Sequence, residues 1–368
     1  MINRARLPSY AFLCPQAAES EADSTRKGTY ALTPFETLWK SRQPHLKERG
    51  YQLRPRYAQG WQPSWTGTNI DPYFCEDSVV SRKPFVMDAR APDGKLVAIK
   101  SVSNKSHEVE IAQFLTTVER PDNHCVPILD VFPDPTDREL SFMVMPYLRP
   151  FNDPEFIMVG DVIQFVSQML EGLAFLHGHR VAHRDIAPPN IMMDGQPLYP
   201  HGHHPVQRDC SEDLVEELTP RNRMDNPVKY FYVDFGLSAH FPPGAPPTVV
   251  GNIGRDAEVP ELSSTKPYDA YKVDVYALGN LFDKEFQRQY HDTEFLKPLV
   301  DCMKQREPYL RPPAEELVGM FRQLRKIQNL AKARWRLSPK SESTGERFIN
   351  DTVAAARDGL SRVKRFVG

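Results

Sequence analysis

Three short stretches of this 368-residue chain carry side chains of the types and spacing that chemistry needs. VAHRDIAPPN places Asp185 and Asn190 on one loop, DFG places Asp234 downstream, and VAIK places Lys100 well upstream. A loop aspartate can accept or orient the proton of an attacking hydroxyl. An asparagine and a second aspartate offer the oxygen ligands that a hard divalent cation prefers. A lysine on a strand supplies a fixed positive charge. This is the spacing of a phosphoryl-transfer loop, where the protein positions reactants in line and neutralises phosphate charge.

Such residues need elements to hold them. From residue 76 the pattern predicts strands: PFVMDAR, KLVAIKSV, CVPILDVF and ELSFMVMPYL are β-branched or aromatic runs broken by turn signals such as Pro92-Asp93-Gly94. One helical stretch, HEVEIAQFLTTV, interrupts them. After residue 150 helices dominate, and DVIQFVSQMLEGLAFLHGH sets Ile163, Val166, Met169, Leu170, Leu173 and Leu176 on one face. KVDVYALGNLFDKEF and PAEELVGMFRQLRKIQNL repeat the helical pattern. The organisation reads as an N-terminal extension packed on the domain (1–75), a small lobe (76–148), a large lobe (149–328) with an insertion at 195–229, and a tail (329–368). The extension predicts one short helix in TPFETLWKSRQPHLKERG. The insertion predicts one helical turn at SEDLVEEL, and the tail predicts a helix in INDTVAAARDGLSRVKRF. No repeat of solenoid period is present.

VAIK (Val97–Lys100), HRDIAPPN (His183–Asn190), DFG (Asp234–Gly236), VPE (Val259–Glu261), DVYALGN (Asp274–Asn280) and Arg311 of YLRPPAEEL follow one another in a fixed order. In that order the sequence resembles the eukaryotic-type protein kinases over about residues 79–325. The resemblance implies an α+β, two-lobed fold: a small antiparallel sheet lobe with one helix, and a large helical lobe. It implies ATP and Mg2+ as cofactors and a protein as substrate. Lys100 would hold the phosphates, Asp185 would act as base, and Asn190 and Asp234 would bind metal. Lys100 needs a carboxylate from the following helix, which offers Glu108 and Glu110. Glu110 is selected because the family places an apolar residue four positions later, giving Phe114, whereas Glu108 would give Ala112. Met145 corresponds to the gatekeeper, Pro146, Tyr147 and Leu148 to the hinge, and Val86, Ala98 and Met192 to the residues around adenine. Glu261 and Arg311 resemble a bracing ion pair, and Asp274 a residue that steadies the catalytic loop.

Three departures stand out. Val79, Ser81 and Pro84 occupy the positions of the glycines whose backbone would approach phosphate. Ala187 occupies the position of the serine/threonine-kinase lysine, GRDAEVPE lacks the threonine that pairs with it, and Pro189 stands where tyrosine kinases have an arginine. The connection from Asn190 to Asp234 is long, and its His201, His203 and His204 lack further ligands at metal-site spacing. A surface for a substrate or regulatory partner is the reading preferred for that insertion, and the extension is a second place for one. Ser238 and Thr248 are the hydroxyls of the activation segment, with Arg184 as the expected partner of a phosphorylated Thr248.

A net charge of -2 gives no support for nucleic acid or an acidic membrane surface as partner. Five scattered cysteines without a C-x-x-C pair fit an intracellular, cytoplasmic setting, with a nuclear one still open. No long uninterrupted apolar run suggests a membrane span. The basic cluster Arg362, Lys364 and Arg365 reads as a solvated helix end. The expected function is transfer of the ATP γ-phosphate to a protein hydroxyl, by default serine or threonine. A pseudokinase scaffold and a small-molecule kinase of similar fold are the alternatives.

Overall fold

The computed structural model describes residues 6–81, 83–327 and 333–354. Three stretches of chain form the first compact unit: the chain up to Val109, Pro127–Leu148 and Gly195–Arg221. Glu110–Val126, Arg149–Asp194 and the chain from Asn222 onward form the second. Most of the 195–229 insertion, placed by sequence in the large lobe, therefore folds with the first unit.

The first unit contains α1 (Pro15–Arg26), α2 (Pro34–Glu48) and an antiparallel sheet. Its strands are β1 (Val86–Arg90), β2 (Leu96–Ser103), β3 (Asp130–Pro133) and β4 (Leu140–Pro146), in the order β1-β2-β4-β3. Side chains alternate across a strand. In β2, Val97 and Ile99 are buried, while Ala98 and Lys100 on the opposite face are half-buried. The buried face meets Trp39, Leu46, Leu53 and Tyr57 of the extension in one hydrophobic core. The extension also pairs with the free edge of β1, where Gln52 and Arg90 exchange backbone hydrogen bonds of 2.8 Å. CVPILDVF contributes only Asp130–Pro133 to this sheet, because Val126 N–H donates instead to Tyr232 O (3.0 Å) in the second unit.

Local chemistry sets the ends of α2. Thr33 Oγ1 accepts from Glu36 N–H, Glu36 Oε2 accepts from Thr33 N–H, and Pro34 opens the helix. The α1 helix was not expected, since PQAAESEADSTR has no apolar stripe and buries no residue. Trp65 Nε1–H donates to its Thr25 Oγ1 (3.0 Å), and Tyr30 O–H to its Glu21 (2.7 Å). SEDLVEEL is a turn, not a helix. Ser211 Oγ accepts from Glu216 N–H, and Leu214 takes a positive φ of 61°.

In the second unit the elements are α3, which runs over Glu108–Thr116 and starts at the end of the first unit, then β5 (Arg149–Pro150) and α4 (Val159–Gly178). They continue with β6 (Val181–Ala182), β7 (Ile191–Met193), β8 (Tyr230–Tyr232), β9 (Ala239–His240), β10 (Thr248–Gly251) and β11 (Ser263–Asp269). Helices α5 (Ala270–Phe282), α6 (Lys297–Met303) and α7 (Ala314–Ile327) follow. By length and composition α4 matches a membrane span, but 67% of its most apolar 18-residue window is buried, so it serves here as a core helix. Residues 344–354 are helical. The rest of the tail helix expectation, with Arg362, Lys364 and Arg365, lies outside the described residues.

One buried carboxylate organises the first unit. Glu36, 1% exposed, pairs with Arg56 Nε (2.8 Å) and accepts from Tyr57 O–H (3.1 Å) and Ser81 N–H (3.2 Å). Burial pushes its carboxyl up, but the bonds from Thr33, Arg56 and Ser81 outweigh this and hold it below the ordinary glutamate value. A depressed folded value contributes stability above the unfolded value and loses it as pH falls through the folded one. Glu36→Gln is expected to lose about 3–5 kcal/mol in urea unfolding at neutral pH, because it leaves the buried Arg56 guanidinium without its counter-charge. That deficit is expected to shrink as the pH falls below the usual carboxylate range. A loss unchanged by pH would contradict this role.

Candidate active site

Asp274 on α5 fixes the loop that carries the reactive groups. Fully buried, it accepts from His183 N–H (Oδ2, 2.8 Å), Arg184 N–H (Oδ1, 2.7 Å) and His177 Nε2 (3.0 Å). This is the steadying contact expected from the sequence. The His183 ring accepts from Asp185 N–H at Nδ1 (3.3 Å), so its Nε2–H donates to Val233 O (3.1 Å). Burial lowers its pKa, which fits a neutral ring with that one tautomer.

Arg184 follows with φ 66° and Asp234 has φ 67°. Both take the left-handed conformation, which is costly for residues other than glycine and persists where surrounding contacts enforce it. For Arg184 the enforcing group is Asp274. Asp234 is followed by the buried Phe235, whose ring lies 5.3 Å from that of His183. The expected Glu261–Arg311 pair is present at 2.5 and 2.9 Å, with Arg311 buried.

Asp185 and Asn190 meet as their spacing suggested. Asn190 Nδ2–H donates to Asp185 Oδ2 (2.7 Å) and to Asp185 O (2.8 Å). An amide held by its nitrogen offers its oxygen to a cation. Asp234, 34% exposed at its side chain, offers a carboxylate. These donors fit Mg2+, which is usually held by one or two carboxylates together with substrate phosphates. Among the described residues no cluster of three or more His, Cys, Asp and Glu forms a metal site.

A residue that the sequence reading passed over completes this group. Arg255 N–H donates to Asp185 Oδ1 (2.7 Å), its Nε–H to Asp185 Oδ2 (3.1 Å), and its Nη2 lies 3.9 Å from Asp234 Oδ2. In the sequence, GRDAEVPE stands out for the threonine it lacks, and nothing local marks the arginine it contains. Arg184 Nη1–H donates to Leu237 O (3.3 Å), and Thr248 is exposed on β10 opposite Asp269. Met192 is half-buried on β7 in this unit.

In the first unit, the expected Lys100–Glu110 pair is corrected. Lys100 Nζ meets Glu108 Oε1 at 2.5 Å. Glu108, Ile111, Ala112 and Leu115 form the buried face of α3, whereas Glu110 is exposed with Gln113 and Thr117. Helical periodicity, which puts i, i+3, i+4 and i+7 together, assigns Glu108, whereas the apolar residue four positions later pointed to the opposite face of the helix. Phe114, the residue that favoured Glu110, stacks on His240 at 4.7 Å instead.

Val86 and Ala98 line a cavity of about 670 Å³ together with the hinge residue Tyr147. Met145 and Pro146 stand opposite Ala98 and Val97 in the β2–β4 ladder, and Leu148 follows half-buried. The cavity is also lined by Lys83 and by Pro205, Val206 and Arg208 of the insertion. Tyr147 O–H donates to Pro205 O (2.5 Å), and its ring lies 5.6 Å from that of His203. His204 accepts at Nδ1 from Val206 N–H (3.1 Å) and Gln207 N–H (2.9 Å), so it fastens a turn. The segment that replaces the glycine-rich loop is itself held by the extension. Arg54 donates to Val79 O (2.9 Å), Trp39 Nε1–H donates to Pro84 O (3.1 Å), and Ser81 N–H is taken by Glu36.

Comparison with known proteins agrees with this geometry. The protein kinase domain family matches residues 85–291, more than half of the chain. An Aurora kinase of Yarrowia lipolytica is 30% identical over 32% of this chain and 22% of its own length. A calcium/calmodulin-dependent protein kinase type 1 of Caenorhabditis elegans is 23% identical over 54% and 50%, respectively. The meiosis induction protein kinase IME2/SME1 of Saccharomyces cerevisiae is 24% identical over 50% and 28%. The chain spans half or less of the length of these curated relatives. The clamped HRD loop, the left-handed DFG aspartate, the Lys100–Glu108 pair and the family match lead to one assignment: this chain belongs to the protein kinase domain family and has its two-lobed α+β fold.

Proposed function

We propose that the chain is an active protein kinase that transfers the γ-phosphoryl group of ATP to a serine or threonine hydroxyl of a protein. One observation carries this reading: Asp185 is held by Asn190 on a loop whose backbone is clamped by buried Asp274. The arrangement holds a carboxylate in place to take the proton of an attacking hydroxyl. In the transfer, the substrate hydroxyl oxygen bonds to the γ-phosphorus, the bond from that phosphorus to the bridging oxygen breaks, and ADP leaves. The hydroxyl proton passes to the Asp185 carboxylate. Asn190 and Asp234 would hold Mg2+, which neutralises phosphate charge when bound. Lys100, set by Glu108, is the cation for the α- and β-phosphates. Val86, Ala98 and the hinge would take adenine.

The glycine-rich loop needs a substitute, and side-chain charge provides it in this reading. Lys83 and Arg208 line the cavity beside Val86 and Ala98. Burial, and then the Arg208 charge, pull the Lys83 ammonium below its ordinary value. An anionic ligand relieves that crowding. The specific observation favouring a pseudokinase is the loss of Ser81 N–H to Glu36, which removes a backbone donor from the lid.

Mg-ATP with radiolabelled γ-phosphate separates the two readings. The native chain is expected to label a protein or peptide substrate, and Asp185→Asn is expected to lose roughly 100-fold or more in rate. No transfer by either protein, with melting unaffected by Mg-ATP, would establish the scaffold reading. The choice of carboxylate has its own test. Glu108→Gln is expected to lower kcat/KM about 10–100-fold, the kinetic equivalent of one charged hydrogen bond, and Glu110→Gln to leave it unchanged. Equal effects would contradict the assignment. Replacing Lys83 and Arg208 together by alanine is expected to raise KM for ATP roughly 10-fold or more. An unchanged KM would return phosphate binding to the backbone.

A further inference from the structure

Ala187 removes from the catalytic loop the cation that serine/threonine kinases direct at the transferring phosphate, and Pro189 rules out the tyrosine-kinase replacement. The vacancy in charge is filled from elsewhere in the second unit. We infer that Arg255 supplies this missing cation, so that the activation segment, not the catalytic loop, neutralises the transferring phosphoryl group. The inference rests on the kinase reading above and names a further residue of that site.

The placement of Arg255 is built, not incidental. Its backbone N–H and its Nε–H bind the two different oxygens of the Asp185 carboxylate, at 2.7 and 3.1 Å. Its Nη2 lies 3.9 Å from Asp234 Oδ2, a charge contact without a hydrogen bond. The guanidinium thus stands beside both the proton acceptor and the metal-binding aspartate, and these two groups bracket the place of the reacting phosphate. About half of its side chain, 52%, is exposed, so the fork keeps donors for a ligand while Nε holds Asp185.

Both flanking residues secure this position. Gly254 has φ +107°, and a Cβ there would meet Arg184 O at 2.8 Å. Only glycine lets the segment approach the catalytic loop closely enough for the Arg255 N–H to reach Asp185. Gly254 lies directly before Arg255 in the segment where the family's threonine is missing. On the other side, both carboxylate oxygens of Asp256 accept from Asn280 Nδ2 of α5 at 2.9 Å, and Asn280 is buried. The lost lysine and lost threonine therefore coincide with a gained arginine and a gained glycine. An arginine suits the task because its planar fork engages carboxylate and phosphate together.

A contact on the base is also the form that a blocking residue would take, and kinetics distinguishes the two. The test measures kcat and KM for ATP in the full chain for the native protein, Arg255→Ala, Arg255→Lys, and Arg255→Ala combined with Ala187→Lys, with melting temperatures recorded for each. Arg255→Ala is expected to lower kcat roughly 100-fold, as for loss of one donor to transition-state charge, with KM for ATP and melting unchanged. Arg255→Lys is expected to keep an intermediate rate, since it retains the charge and loses the fork. Ala187→Lys in the Arg255→Ala background is expected to recover much of kcat by returning the cation to the catalytic loop. An Arg255→Ala variant that is faster than the native protein would show a blocking residue and overturn the inference. An unchanged rate in an active native protein would overturn it alone. A native protein with no transfer at all would overturn the kinase reading beneath it.

Discussion

The Asp185 carboxylate is where the constraints of the second unit converge. Its neighbours are set by a chain of buried contacts that starts at Asp274, passes through the His183 and Arg184 backbone and forces Arg184 into a left-handed conformation. Asn190 then fixes one carboxylate oxygen and Arg255 engages both. A carboxylate that is 7% exposed needs such partners, because a buried charge is tolerated only when it is paired and hydrogen-bonded. Preorganised charge of this kind does not have to rearrange when the reaction occurs, and phosphoryl transfer depends on positioning and electrostatics more than on covalent chemistry.

The first unit shows a related substitution of parts. Where the family would use a mobile glycine-rich lid, Asp77, Val79, Ser81 and Pro84 are tied to the N-terminal extension through Arg56, Arg54, Glu36 and Trp39. The same extension supplies part of the core under the sheet and pairs with the edge of β1. Rigid backbone cannot fold over phosphates as glycine does. Lys83 and Arg208 line the cavity beside this segment, and the proposed reading puts their charges in the place of the glycine-rich backbone.

Much of this was legible in the sequence because motifs and periodicity are local. HRDIAPPN, DFG and VAIK located Asp185, Asn190, Asp234 and Lys100, and the spacing of apolar residues located α4 and α5. The choice of Glu110 over Glu108 failed although the sequence held the answer, since Ile111, Ala112 and Leu115 mark the buried face on which Glu108 lies. Arg255 was hidden for a different reason: 69 residues separate it from Asp185, and only the folded activation segment brings them together. The insertion was misplaced because its polar composition carries no periodicity, and its position is set by contacts such as Tyr147 to Pro205. A helix like α1, with no buried face, has no hydrophobic signal to read.

A crystal structure of the full chain with Mg2+ and a non-hydrolysable ATP analogue tests the central claim most directly. The result expected is adenine against Val86 and Ala98, metal on Asp234 and Asn190, and the γ-phosphate within hydrogen-bond distance of the Arg255 guanidinium. Nucleotide absent from that cavity, or a γ-phosphate held without Arg255 while the guanidinium stays closed over Asp185, would contradict it.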